Sequence, residues 1–117
     1  MPLLFSYGML RHEDVQRALF GRTFATESDR LPGFAQTTKR VEDPEFVRSS
    51  GKAMHAVVRP TGNPQDVVEG VVLEVSEGDL ETADGFEPAG WTRVEVALCS
   101  GRPAWVYVDS DVAGGRW

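Results

Sequence analysis

Two short stretches carry residue types from which chemistry can be built. The first is Phe86-Glu87-Pro88, with Trp91 four residues beyond the acid. A carboxyl set among phenylalanine, proline and tryptophan at a helix end is open to desolvation, which raises its pKa toward the range useful for proton transfer. The second is Tyr7-Gly8-Met9-Leu10, read as a strand-to-helix loop. Its successive backbone N–H groups can converge on a carbonyl or carboxylate oxygen, because glycine permits close approach. Taken alone, each is better explained as an ordinary feature: a solvated carboxylate in an acidic chain, and a plain turn.

Other chemistries fail on spacing. No GxGxxG occurs, and Gly51-Lys52-Ala53 lacks both the upstream glycine and the Ser/Thr of a phosphate loop. His12 and His55 stand apart from each other and from Cys99 in any metal-ligand spacing. They read as a surface helix start and a strand residue. Cys99 has no neighbouring histidine to activate it and reads as a small, semi-buried residue at a strand end. No GxSxG elbow is present.

The elements that must position the two stretches follow from periodicity. Leu3-Leu4-Phe5 is a short apolar run broken at Tyr7-Gly8, as suits a central strand. Glu13 to Phe20 places Val15, Ala18 and Leu19 on one face, with acids in the first turn and Gly21 past the end, which predicts a helix. Residues 31–49 are polar and strand-compatible up to Val41, then broken at Asp43-Pro44 before Phe46-Val47. His55 to Arg59 and Val67 to Val75 read as strands paired through Pro60-Thr61-Gly62-Asn63-Pro64, a hairpin with a longer loop. Ser76-Glu77-Gly78-Asp79 has the pattern of a capped helix start, with Leu80, Ala83 and Phe86 facing inward and Gly85 and Pro88 bracketing the end. Val94, Val96 and Leu98 then alternate with Arg93, Glu95 and Ala97, and Ser100-Gly101 returns the chain into Ala104 to Val108. The tail from Asp109 to Trp117 is expected to be loosely ordered.

About six strands and two short helices, joined by turns, predict a single α+β domain: a small mixed, mainly antiparallel β-barrel. The length of 117 residues fits one domain and no more. With 12 basic against 18 acidic residues the chain carries a formal charge of −6, so the basic stripe that binding to nucleic acid requires is missing. One cysteine allows no internal disulfide, which together with the absence of a signal-like start predicts a cytoplasmic location. No apolar run approaches a membrane span.

In combination and in order, these features resemble the gamma-glutamylcyclotransferase-like family, of the gamma-glutamylamine cyclotransferase type. Leu4-Phe5-Ser6-Tyr7-Gly8-Met9-Leu10 is similar to the family's N-terminal Tyr-Gly-Ser/Thr-Leu signature, and Val68-Glu69-Gly70-Val71 to its Val-x-Gly strand. Ala83-Asp84-Gly85-Phe86-Glu87 followed by Trp91-Thr92-Arg93 resembles the Leu-Asp-x-Tyr/Phe-Glu…Tyr-x-Arg stretch that carries the catalytic glutamate. Ala104 to Val108 and the closing Gly114-Gly115-Arg116-Trp117 resemble the remainder. Met9 departs from the usual hydroxyl residue, and Trp91 from the usual tyrosine.

The resemblance implies a compact mixed barrel with an internal cavity and a reaction without metal or cofactor. A gamma-glutamyl amine or amide would close on itself, releasing 5-oxoproline and a free amine. Glu87 would be the general base and acid, and Tyr7, Gly8, Met9, Leu10, Trp91 and Tyr107 would bind the substrate. The implied partner is a small gamma-glutamyl molecule, with the chain a monomer or homodimer and neither nucleic acid nor membrane involved. A non-catalytic binding module on the same fold is the alternative that Met9 and Trp91 keep open.

Overall fold

A computed structural model describes residues 2–41, 44–51, 53–87 and 90–109. The chain break at Asp43, the helix stop at Pro88 and the closing glycine-rich stretch lie outside the described residues, whereas Asp109, expected to open a loosely ordered tail, is the fully buried last residue of the final strand.

The order is β1 (Leu3–Ser6), a single 3-10 turn (Met9–Arg11), α1 (Glu13–Phe20), β2 (Thr26–Pro32), β3 (Phe34–Arg40), α2 (Pro44–Ser50), β4 (Met54–Pro60), β5 (Val67–Glu74), α3 (Glu77–Phe86), β6 (Trp91–Ala97) and β7 (Pro103–Asp109). Five strands form a mixed sheet in the order β2-β5-β1-β7-β6, while β3 and β4 pair separately. The α+β class stands, but the two sheets are not closed into a barrel.

The apolar β1 lies between β5 and β7 as a central strand should, antiparallel to the first and parallel to the second. Because successive strand residues point to opposite faces, Leu4 and Phe5 feed two different cores. Leu4 joins Leu10, Leu73, Leu80, Ala83 and Tyr107 on one face, with Val15 and Leu19 packed against them. Phe5 joins Tyr7, Leu31, Phe34, Val58, Val72 and Val106 on the other.

The expected hairpin between 55–59 and 67–75 is not formed. β4 pairs with β3, and β5 with β2 and β1. The reason is Gly33, whose φ of 80° lies in the left-handed region that glycine enters without steric cost. It turns the chain between β2 and β3, and its N–H and C=O bond to Asp66 and Thr61 on either side of the facing loop. A single antiparallel pairing is thereby split between two sheets. Sequence periodicity also passes over β2, whose residues 26–30 are polar and largely exposed, and over the short α2.

Helix α3 begins as predicted. Ser76 accepts from the Asp79 N–H at 3.0 Å and Asp79 accepts from the Ser76 N–H at 2.9 Å, a reciprocal capping box. In α1 the predicted face is only partly right. Val15 and Leu19 are half-buried and Ala18 is exposed, whereas Gln16 is fully buried. The amide of Gln16 donates to the Leu10 carbonyl and accepts from the Phe24 N–H, both at 2.9 Å, so it satisfies backbone groups that no ladder reaches. No helix among the described residues is long and apolar enough to cross a membrane.

Candidate active site

Where β1 ends, a cavity of about 190 Å³ opens. One wall is the loop Tyr7, Gly8, Met9 and Leu10; another is Phe86, Glu87 and Trp91 from the end of α3 and the start of β6; Tyr107 of β7 completes this side. All seven residues singled out from the sequence therefore meet at one cavity. Gln36, His55 and Ala56 face them from the β3–β4 sheet, and Arg11 and His12 from the 3-10 turn and its end. Both histidines thus border the cavity, beyond the helix-start and strand roles expected of them. Cys99 is exposed rather than semi-buried.

Glu87 sits at the C-cap of α3 in an extended conformation, its N–H bonded to the Ala83 carbonyl at 3.0 Å. Burial pushes its carboxyl from the ordinary 4.5 up to about 7, and the negative charge of Asp84 adds to the rise. Both effects disfavour the ionised form, and a carboxyl balanced near neutrality can take and return protons.

The loop is built by a close approach. A Cβ on Gly70 of β5 would stand 2.5 Å from the Ser6 carbonyl oxygen and 2.7 Å from the Phe5 ring, so only glycine lets β1 deliver Tyr7 to this place. At Gly8, by contrast, a Cβ would meet nothing within 4 Å; crowding within the protein does not demand that glycine. The carbonyls of Gly8 and Met9 accept the turn's bonds from Arg11 and His12, and the Gly8 N–H makes a long bond of 3.4 Å to the Ser6 hydroxyl. The N–H groups of Met9 and Leu10 have no hydrogen-bond partner among the described residues. Gln16 holds the far end of this turn through the Leu10 carbonyl. The buried glutamine was missed because an amphipathic pattern assigns polar residues to the solvent side.

Tyr7 donates its phenolic proton to the Tyr107 carbonyl at 2.6 Å. Burial, with the nearby charge of Glu87, holds Tyr7 well above the ordinary tyrosine range. Tyr107 donates in turn to Asp84 at 2.6 Å, and burial followed by that bond raises its pKa strongly. Asp84 is gripped by the fork of Arg93, with both contacts at 2.8 Å, and Arg93 and Tyr107 together hold its carboxyl below the usual range.

The opposite wall is tied down by charge. Asp109, fully buried at the end of β7, pairs with Lys39 of β3 at 2.8 Å and Arg59 of β4 at 2.6 Å. Lys39 also donates to the Gly90 carbonyl at 3.1 Å and lies 5.4 Å from the centre of the Trp91 ring. The β3–β4 sheet is thus fastened beside the segment that carries Glu87.

A mixed five-stranded sheet flanked by a separate ribbon makes a small α+β fold, and its candidate site is the cavity lined by an acid at a helix end and by a Tyr-Gly loop. The sequence profile of the family described as "Gamma-glutamyl cyclotransferase, AIG2-like" matches residues 4–117, and the chain belongs to that family. The family is one of gamma-glutamyl cyclotransferase-like enzymes. Among solved structures the chain is similar to At3g28950.1 of Arabidopsis thaliana, at 21% identity and a TM-score of 0.73 over 99% of this chain and 68% of that one. It is also similar to At5g39720.1 of the same plant, at 24% and 0.71 over 99% and 76%. A third, described as a gamma-glutamyl cyclotransferase, aligns at 20% and 0.65 over 93% and 66%. At these identities the structures establish the fold alone. Among curated proteins no match is found.

Proposed function

We propose that the protein is a gamma-glutamyl cyclotransferase that cleaves a gamma-glutamyl amine or amide by intramolecular aminolysis. The observation that carries the reading is the placement of Glu87. Its carboxyl, raised to about 7, shares one small cavity with the Tyr7–Leu10 loop, and the family membership gives the reaction class.

No nucleophile of the protein is needed, because the substrate supplies one. Glu87 takes a proton from the substrate's α-ammonium, and the freed amine attacks the γ-carbonyl carbon. Ring closure supplies the proximity that makes such a step fast. The bond from that carbon to the departing nitrogen then breaks as Glu87 returns a proton to it. Over the cycle two protons leave the α-nitrogen and two reach the departing one, so 5-oxoproline and an ammonium product form and no water is consumed. The loop amides of Met9 and Leu10 are the available donors for the charge that develops on the carbonyl oxygen. Met9 leaves this backbone role intact while supplying no hydroxyl, and Trp91 offers an apolar face beside the acid.

The test is to incubate the purified protein and its Glu87→Gln variant with gamma-glutamyl amines and gamma-glutamyl dipeptides and to measure 5-oxoproline by mass spectrometry. Product from the wild type alone supports the assignment. Product from both at equal rates removes Glu87 from the mechanism, and glutamate in place of 5-oxoproline removes the cyclisation.

A further inference from the structure

Asp84 is not part of the cavity wall. It lies on the exposed side of α3, three residues before Glu87, and its pairing with Arg93 has the outward form of a surface ion pair, which alone contributes little. Two features set it apart. Arg93 engages both carboxylate oxygens at 2.8 Å while its guanidinium stacks over Trp105 at 4.4 Å, so the acid is held in one orientation. The same carboxylate then receives the proton of Tyr107 at 2.6 Å, and Tyr107 does line the cavity.

A phenol has a single proton to give. Tyr107 gives its proton to Asp84, and Tyr7 gives its own to the Tyr107 carbonyl at 2.6 Å. Toward any third group both oxygens therefore offer lone pairs only. Both phenols line the same cavity as Glu87, so two committed acceptors share that cavity with one carboxyl. In a gamma-glutamyl substrate the group that requires several acceptors at once is the α-ammonium.

We propose that Asp84 is a positioning residue: by taking the Tyr107 proton it fixes that phenol as an acceptor for the substrate's α-ammonium beside Glu87. The inference rests on the cyclotransferase reading and deepens it. With Asp84 removed, the Tyr107 proton is released to turn toward Glu87, and an acceptor becomes a competing donor. The other titratable or charged groups lining the cavity with Glu87 are Tyr7 from the end of β1, Arg11 and His12 from the 3-10 turn, and His55 from β4; none of them carries the negative charge of Asp84.

The test compares two ligands without a cleavable amide, L-glutamate and glutarate, which differ only in the α-amino group. Affinities are measured by calorimetry for the wild type, Asp84→Ala, Tyr107→Phe and the double variant, with thermal melts confirming that each is folded. The wild type is expected to prefer the amino ligand by about 10- to 100-fold, the worth of a hydrogen bond to a charged group. Each single variant should lose most of that preference, and the double variant should lose no more than either single one, because one interaction cannot be removed twice. In turnover, the acid limb of kcat/KM should move to lower pH in Asp84→Ala, which a merely structural role would not produce.

Full preference retained in Asp84→Ala, or losses that multiply in the double variant, overturns the proposal while leaving the cyclotransferase reading in place. Discrimination that collapses as expected in a protein forming no 5-oxoproline upholds the Asp84 role and overturns the reaction. A wild type indifferent to the α-amino group overturns both.

Discussion

Replacing Glu87 by glutamine should make the protein more stable at alkaline pH while abolishing turnover. The carboxyl is raised from 4.5 to about 7 in the fold, so the folded chain holds a proton over an interval in which the unfolded chain has released it. Stability from the protonated acid is fully present below pH 4.5 and is lost as the pH rises through 7. At 1.36 kcal/mol per pH unit, and allowing for the contact that the half-buried side chain keeps with solvent, the loss is about 2–3 kcal/mol. Glutamine keeps the shape and does not ionise. In thermal unfolding followed by circular dichroism, Glu87→Gln should melt close to the wild type near pH 4.5 and on the order of 10 °C above it at pH 8. The wild type's kcat/KM should fall as the pH drops below about 7, because the base is then protonated. A melting difference that is the same at both pH values would refute the argument, since it would mean that the buried acid is not what the fold works against.

Two glycines should respond in opposite ways. Gly70→Ala drives a methyl into the Ser6 carbonyl and should cost about 1–3 kcal/mol in chemical denaturation, with activity lost in parallel. Gly8→Ala meets no protein atom and should leave the denaturation midpoint within about 0.5 kcal/mol while turnover falls at least tenfold. Gln16→Leu strands the Leu10 carbonyl and the Phe24 N–H; it should cost about 2–3 kcal/mol by denaturant titration and reduce turnover, because the loop loses its anchor. Ser76→Ala opens the capping box of α3 and should cost about 1 kcal/mol, with kcat/KM unchanged.

The parts of the fold that show in the sequence are those where local physics and the final structure agree. β1 is a short apolar run and is central; Ser76 and Asp79 form the box their spacing suggests; Val94, Val96 and Leu98 alternate with solvent-facing neighbours and lie in or beside the β6–β7 hairpin. Pairing is less legible. His55–Arg59 and Val67–Val75 are neighbours along the chain, yet Gly33 sends their partners to two different sheets, and nothing in a strand's own residues records which strand lies beside it. β2 shows one polar residue after another because most of its side chains face solvent, so alternation is absent from it. Six of the seven site residues stand in two short stretches that residue type brings to notice; what gives those stretches weight, and adds Tyr107, is the order of motifs shared with the family. Gly70 and Asp84 support the site residues through partners on other strands, and Gln16 through backbone groups of the irregular segments on either side of its helix; a pattern of helix or strand spacing registers neither.

One consequence of the split pairing concerns how such a protein could be altered. β3 and β4 pair with each other and with no strand of the larger sheet, so the ribbon they form is a separable part. It is fastened to the remainder through side chains, by apolar packing and by Lys39 and Arg59 on Asp109. Gln36 and His55 are its contributions to the cavity. A ribbon exchanged as a cassette, with the two basic anchors kept, would change the surface offered to an incoming molecule while Glu87, Tyr107 and the Tyr7 loop stayed on their own supports. Selectivity and reactivity would then be open to independent revision, by laboratory grafting or by descent.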